Sequence, residues 1–150
     1  MKYIYYGSKF KNVKITPKKY RNEYFEDEIN LESELFYELR RSNNIIPFKL
    51  KDSTELELEE IRKFFIDNKE TFLCVLENKK LIASILYINN YIQCLAVEPS
   101  FQRNGLGTEL TKYVVNKILD QGNKKIELDV LEGNEIAIKM YKKLGFTECI

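Results

Sequence analysis

The sequence predicts an α/β fold built on a mixed, mostly antiparallel sheet, and three observations carry that prediction. Apolar residues recur every three to four positions over much of the first 69 residues, which is a helical period. From Thr71 the pattern becomes that of strands: "TFLCVLE", "LIASILYI" and "YIQCLAVE" follow one another across "NKK" and "NN" as an antiparallel meander. Beyond the meander come "QRNGLG" (Gln102 to Gly107), an amphipathic helix and a further strand, and a crossover of that length makes the strands on either side of it parallel.

Length and composition set the frame for these elements. A chain of 150 residues with 44% hydrophobic content, nine Phe and ten Tyr has the material for one core, so 1–150 reads as a single domain. Lys and Arg total 24 against 23 Asp and Glu, a balance that gives no net field to gather nucleic acid or an anionic membrane. Cys74, Cys94 and Cys149 lie in apolar runs without CxxC spacing and read as reduced, buried thiols. No stretch is apolar enough to span a bilayer or to serve as a cleaved leader, so a soluble, cytoplasmic protein is expected. The absence of histidine removes Ser-His-Asp and Cys-His arrangements and HExxH zinc sites, and no metal site is expected.

Each element has its own local reason. "YIYY" (3–6) and "NVKIT" (12–16) flank a Gly-Ser turn and read as short strands or as a loose arm. Thr16 and Pro17 offer an N-cap and a first-turn proline to a run through Tyr20, Tyr24, Phe25, Ile29, Leu35, Phe36 and Leu39, one long helix or two short ones broken near Asn30. "NNIIPFKLKD" is an extended connection, after which Thr54 and Glu57 make a capping box for a helix with Leu58, Ile61, Phe64 and Phe65 on one side. After the meander, Leu106, Leu110, Val114 and Ile118 form a stripe, and Gly122 is placed to end that helix in the left-handed conformation. Ile126, Leu128 and Val130 then alternate with Glu127 and Asp129 as a strand. Asn134 caps a last helix bearing Ile136, Ala137, Met140, Tyr141 and Leu144, and Gly145-Phe146 closes it.

"QRNGLG" sits at the carboxyl end of a sheet strand and the mouth of a helix, where free amides and the helix dipole attract phosphate. The amides from Arg103 to Thr108 could wrap a pyrophosphate, with Arg103 adding charge and Thr108 a hydroxyl. On these residues alone, a plain tight turn permitted by Gly105 and Gly107 fits as well. The GxxxxGK[ST] pattern is missing, and the third glycine of a dinucleotide fingerprint would fall at Leu110.

Taken together, "CLAVEPSFQRNGLGTELTKYVV" and "IELDVLEGNEIAIKMYKKLGF" resemble the GNAT superfamily of acetyl-CoA-dependent N-acetyltransferases. The resemblance rests on Val97 at a strand end, Gln102, Gly105 and Gly107 opening a helix, and Asn134, Ala137, Tyr141, Gly145 and Phe146 at the family's spacing, over residues 92 to 146. It implies a central sheet with a splayed parallel pair, helices on both faces, and shortened C-terminal strands, since only "TECI" remains where relatives continue with two strands. The strand at 125–131 would then have an edge to be covered by the N-terminal "YIYY" segment, by a partner chain as a homodimer, or by exchange between subunits.

The resemblance also implies roles. Leu95, Ala96 and Val97 would offer backbone groups to the pantetheine arm of acetyl-CoA, and an amide near Leu95 would hold the oxyanion. Gln102, Arg103, Asn104, Gly105, Leu106, Gly107 and Thr108 would form the pyrophosphate loop, and Asn134 would contact the cofactor arm, serve as a helix cap, or do both. Tyr141 falls on the tyrosine that protonates the departing thiolate. The family's glutamate base is replaced by Tyr91, with Gln93 nearby, while Glu127 and Asp129 read as solvated and Cys94 as a packing residue. Residues 1–69 would form the acceptor side and 70–150 the cofactor-binding core. Acidic residues from Glu23 to Glu38 would suit a cationic amine, although a solvated helix face explains them too. The implied activity is direct acetyl transfer in a ternary complex to a primary amine on a small molecule or peptide; the alternative is a CoA-binding or regulatory module without turnover.

Overall fold

Strands β3 (Phe72–Glu77), β4 (Lys80–Ile88) and β5 (Tyr91–Val97) form the expected meander in the computed structural model, which describes residues 1–150. Asn78 and Lys79 both take positive φ, 51° and 66°, giving β3–β4 the two-residue turn whose twist suits antiparallel strands. Helix α4 (Leu106–Asp120) carries the chain back so that β6 (Ile126–Asp129) lies parallel to β5. With β1 (Lys2–Tyr5), β2 (Lys18–Lys19) and β7 (Thr147–Cys149), the sheet runs β2-β3-β4-β5-β6-β1-β7.

Two apolar layers clothe this sheet. On one face α4 and α5 (Glu135–Leu144) set Leu110, Val114, Ile118, Ile138 and Tyr141 against Ile85, Ile92 and Leu128. On the other, α1 (Phe25–Leu35) and α3 (Glu55–Asp67) set Phe25, Ile29 and Phe65 against Phe72, Leu86 and Ala96. Helices therefore lie on both faces, and successive residues of β5 alternate between them, Ala96 toward α1 and Val97 toward α4. The capping box of Thr54 and Glu57 is present in full. The Gly145 N–H bonds the Lys142 carbonyl and the Phe146 N–H the Tyr141 carbonyl, both at 3.0 Å, so the left-handed turn at Gly145 (φ 107°) delivers Phe146 into the core.

The N-terminal third departs from the sequence reading. Residues 12–16 form no strand, and Pro17 starts no helix; instead Lys18 and Lys19 pair with Cys74 and Leu73 as β2. Aromatic burial explains the difference: Tyr20 is enclosed and stacked on Phe72 with ring centroids 4.7 Å apart, which holds the chain extended along the sheet edge. Helix α1 begins only at Phe25, and the break before α2 (Tyr37–Ser42) falls at Phe36 rather than Asn30. On α3 and α5 the buried faces are rotated from those expected, leaving Phe64 43% and Ile136 71% exposed while Phe65 and Ile138 are buried. Cys149 is exposed rather than buried.

The edge of β6 is not open. Strand β1 lies antiparallel between β6 and β7, with Tyr3 opposite Leu128 on one side and Glu148 on the other. Of the coverings expected, the chain's own N-terminal segment supplies this one, so a homodimer through the β6 edge has no edge to use. No helix is long and apolar enough to cross a membrane.

Candidate active site

The parallel pair is short. Strands β5 and β6 meet only at Tyr91–Glu127 and Ile92–Leu128, after which they diverge. Glu98 N donates to Ile82 O, so the residues of β5 in step with it, Ala96 and Cys94, turn their amide groups to β4. Leu95 and Val97 turn theirs into the gap, where the Gln102 side-chain amide donates to the Val97 carbonyl at 3.1 Å. What remains facing the cleft is the Leu95 N–H and carbonyl and the Val97 N–H. Ala96, grouped with them from the sequence, belongs to the β4 ladder and the α1 layer.

The loop below the cleft is held by Glu98, whose carboxylate accepts the Ser100 N–H at 3.1 Å. A 3-10 turn over Pro99–Asn104 leads to Gly105 in the left-handed conformation (φ 73°), and α4 starts at Leu106. The first-turn amides of α4 have no partner within the helix and point outward. A Cβ on Gly105 would meet nothing within 4 Å, whereas one on Gly107 would stand 3.4 Å from both Met140 Sδ and Val97 Cγ2. Gly105 thus supplies the turn and open space, and Gly107 lets α4 press onto β5 and α5.

A cavity of about 460 Å³ occupies the splay. Leu95, Val97, Gln102, Gly105, Gly107, Thr108 and Asn134 line it, while Arg103 and Asn104 are exposed beside it and Leu106 packs toward the core. Asn134 Oδ1 accepts the Ala137 N–H at 3.3 Å as the cap of α5, so the helix-cap role expected of it is present and its side-chain nitrogen takes no part in the cap. Tyr141, one turn after the lining residue Ala137, is buried against Phe146 with centroids 5.4 Å apart. Burial, with the nearby Cys94 thiol, pushes its phenol well above the ordinary range, so the hydroxyl keeps its proton at neutral pH.

The wall opposite comes from the segment that the sequence assigned to the acceptor side, through Glu38 of its acidic run and three apolar residues of its helical stripe. Leu35, Phe36, Glu38 and Leu39 close the cavity from α1 and α2, and Asn43 Nδ2 donates to the Glu132 carbonyl at 3.1 Å across its mouth. Periodicity marks these residues as a helix face but does not say what the face meets. Tyr91 and Gln93 are not in the cleft: the Tyr91 hydroxyl is bonded to Asp129 where the strands pair, and Gln93 is exposed. Glu127 pairs with Lys2 at 2.9 Å, which holds its carboxylate below the usual range.

Two carboxyls of α1, by contrast, turn inward. Glu28 is 0% exposed, and its carboxyl faces Ser84 and Glu32 with no donor closing a hydrogen bond to either oxygen. Glu32, one turn later, lies 3.9 Å from Cys94 Sγ. Burial pushes both carboxyls above the ordinary range, and their mutual repulsion adds to it at Glu32. The signal was in the sequence: Glu28 and Glu32 continue the apolar stripe of Phe25, Ile29 and Phe36, where a solvated charge does not belong.

Comparison with known proteins agrees with this geometry. The family model described as "Acetyltransferase (GNAT) family" matches residues 23–146. The [ribosomal protein bS18]-alanine N-acetyltransferase of Salmonella typhimurium is 39% identical over 54 residues, 36% of this chain and 36% of that protein. The chain thus spans about a third of the length of the curated relatives it matches. Among solved structures, the aminoglycoside antibiotic 6'-N-acetyltransferase AAC(6')-IG from Acinetobacter haemolyticus superposes with a TM-score of 0.63 at 18% identity, covering 91% of this chain and 93% of that one. The PaiA N-acetyltransferase from Thermoplasma acidophilum, in complex with coenzyme A, gives 0.62 at 19% identity, covering 88% and 89%. At such identities the structures share the fold.

Proposed function

The chain belongs to the GNAT acetyltransferase family, and from that premise we propose that it is an N-acetyltransferase that moves an acetyl group from acetyl-CoA to a primary amine by direct attack in a ternary complex. The observation that carries this reading is the splay of β5 from β6, with unpaired amides on one side and the glycine-opened mouth of α4 below. Acetyl-CoA supplies the acetyl group as a thioester.

The residues fit such a ligand. An extended pantetheine arm adds to the free Leu95 and Val97 amide groups as a strand would, and Asn134 offers its side-chain nitrogen from the opposite bank. The amides from Gly105 to Thr108, with the positive end of the α4 dipole, suit a pyrophosphate, and Arg103 stands exposed beside them. The Leu95 amide, facing the cleft, would be the donor that a developing oxyanion needs. The Tyr141 phenol stays protonated for the sulfur. The division of labour follows the layers: residues 70–150 hold the donor, and α1 and α2 from the first 69 residues face the acceptor.

Calorimetric titration with acetyl-CoA tests the donor side. The wild type is expected to bind. Gly107→Val would wedge two methyls between α4, Val97 and Met140 and move the cradle, and should weaken binding about tenfold or more, equivalent to about 1.4 kcal/mol. No heat at millimolar ligand would refute the assignment.

A further inference from the structure

Helix α1 meets the sheet through one stripe and reaches the cavity with its end. Phe25 and Ile29 pack against Phe72, Leu86 and Ala96, and Leu35 and the capping residue Phe36 stand in the cavity wall. Between these apolar ends the same stripe carries two carboxyls. Glu28 is 0% exposed with no donor closed on either oxygen, and Glu32, one turn on, lies 3.9 Å from Cys94 Sγ of β5. Neither lines the cavity, so any effect they have on it passes through the helix.

We propose that Glu28 and Glu32 are positioning residues for that wall: one proton held between them keeps α1 seated on β4 and β5, and its loss frees the last turn of the helix, with Leu35 and Phe36. Calling this wall the acceptor's rests on the transferase reading; the seating itself does not.

The place of the proton follows from what surrounds each carboxyl. Burial pushes Glu32 well above the ordinary glutamate range and the charge of Glu28 adds to the rise, while Arg40 of α2 and the Cys94 thiol act against it without cancelling it. Glu28 is raised by burial too, but hydrogen bonding toward Glu32 and Ser84 of β4 works to hold it down. The proton therefore sits on Glu32 and is directed at the Glu28 carboxylate, which has no other donor closed on it. No other cation is placed to take over. Cys74 of β3 and Tyr20, ahead of α1, feel Glu28 and are themselves pushed up, so both stay neutral. Arg62 of α3 lies 4.1 Å over the Phe25 ring, and Lys49 and Lys51 pair with the exposed Glu34.

Loss of the proton would set two carboxylates one turn apart against the sheet, with Glu28 sealed from water. A shift of the helix that admits water relieves this. The sign of the pH dependence follows. Seated α1 binds the proton more tightly than freed α1, so seating is strongest below the ordinary glutamate value of 4.5 and is lost as pH rises through the folded value of Glu32.

Hydrogen exchange on the free protein, from about pH 5 to about pH 8, reads the seating without turnover. After correction for the intrinsic pH dependence of exchange, protection of the α1 amides through Leu35 and Phe36 should fall with rising pH, by up to about tenfold per unit while one proton is lost. The fall should exceed any in α4, on the other face of the sheet. Glu32→Gln keeps a donor toward Glu28 and has no proton to lose, so its α1 profile should be flat. In chemical denaturation its stability relative to the wild type should rise with pH. Glu28→Gln removes the neighbouring charge and should flatten the profile as well, which keeps the test decisive where Glu32→Gln does not fold. A wild-type α1 with constant protection over this range, a fall that stops short of Leu35, or one that persists unchanged in the folded variants would overturn the proposal. Failure to acetylate any amine would instead refute the transferase reading and leave this profile as it is.

Discussion

Tyr141→Phe is expected to lower kcat for amine acetylation about 10²-fold while leaving acetyl-CoA affinity and thermal stability nearly unchanged. The separation follows from where the hydroxyl stands. The ring is 5% exposed and packs on Phe146, so its apolar body holds α5 to the core, and phenylalanine keeps that packing. The forces on the phenol are burial and the nearby thiol, with no hydrogen bond from a protein group, so removing the oxygen strands no partner. Only the sulfur loses something. Burial raises the phenol further above a thiol's pKa, so complete transfer ahead of C–S cleavage is uphill, and the hydroxyl acts by a hydrogen bond that tightens as charge builds on sulfur. Steady-state kinetics and calorimetry on the same variant check the pair of effects; a matched loss of stability and affinity would make Tyr141 a packing residue.

Tyr3→Ala carries the largest expected loss of stability, about 3–5 kcal/mol by analogy with other buried aromatic truncations. Tyr3 is 0% exposed in the middle of β1, between β6 and β7, so the truncation leaves a cavity where three strands meet. Tyr3→Phe should be neutral or stabilising, because the Tyr3 hydroxyl is enclosed without a partner and its removal ends a desolvation cost. Chemical denaturation of the two variants separates them. The link to function is β6: it touches β5 at two residue pairs only, so β1 is what fixes its far side and thereby the width of the cleft. Acetyl-CoA affinity should fall with stability in Tyr3→Ala and hold in Tyr3→Phe.

The parts of the fold that were legible in the sequence are those set by neighbours in the chain. Thr54 with Glu57, Asn134 with Ala137, and Gly145 with Phe146 are local hydrogen-bond motifs, and the spacing of the crossover dictates a parallel pair. The alternation in "KYIY" signals a strand, but nothing local says that its partners lie some 120 residues away. Pro17 beside a threonine looks like a helix start, and the stacking of Tyr20 on Phe72 overrides it. Ile136 and Ile138 are equally apolar, so only the packed structure tells which is buried. The glycine loop of the candidate site was readable because a left-handed turn that opens a helix is a local device. The wall from α1 and α2, and the inward turn of Glu28 and Glu32, depend on tertiary packing that charge patterning alone assigns to solvent.

The most direct test is release of free thiol on mixing the protein with acetyl-CoA and a library of primary amines. Acetyl transfer requires thiol release that depends on both protein and amine, matched mole for mole by acetylated amine and abolished or strongly slowed in Tyr141→Phe. Tight acetyl-CoA binding with no amine-dependent thiol release would contradict it and make the cleft a site that holds coenzyme A without turning it over.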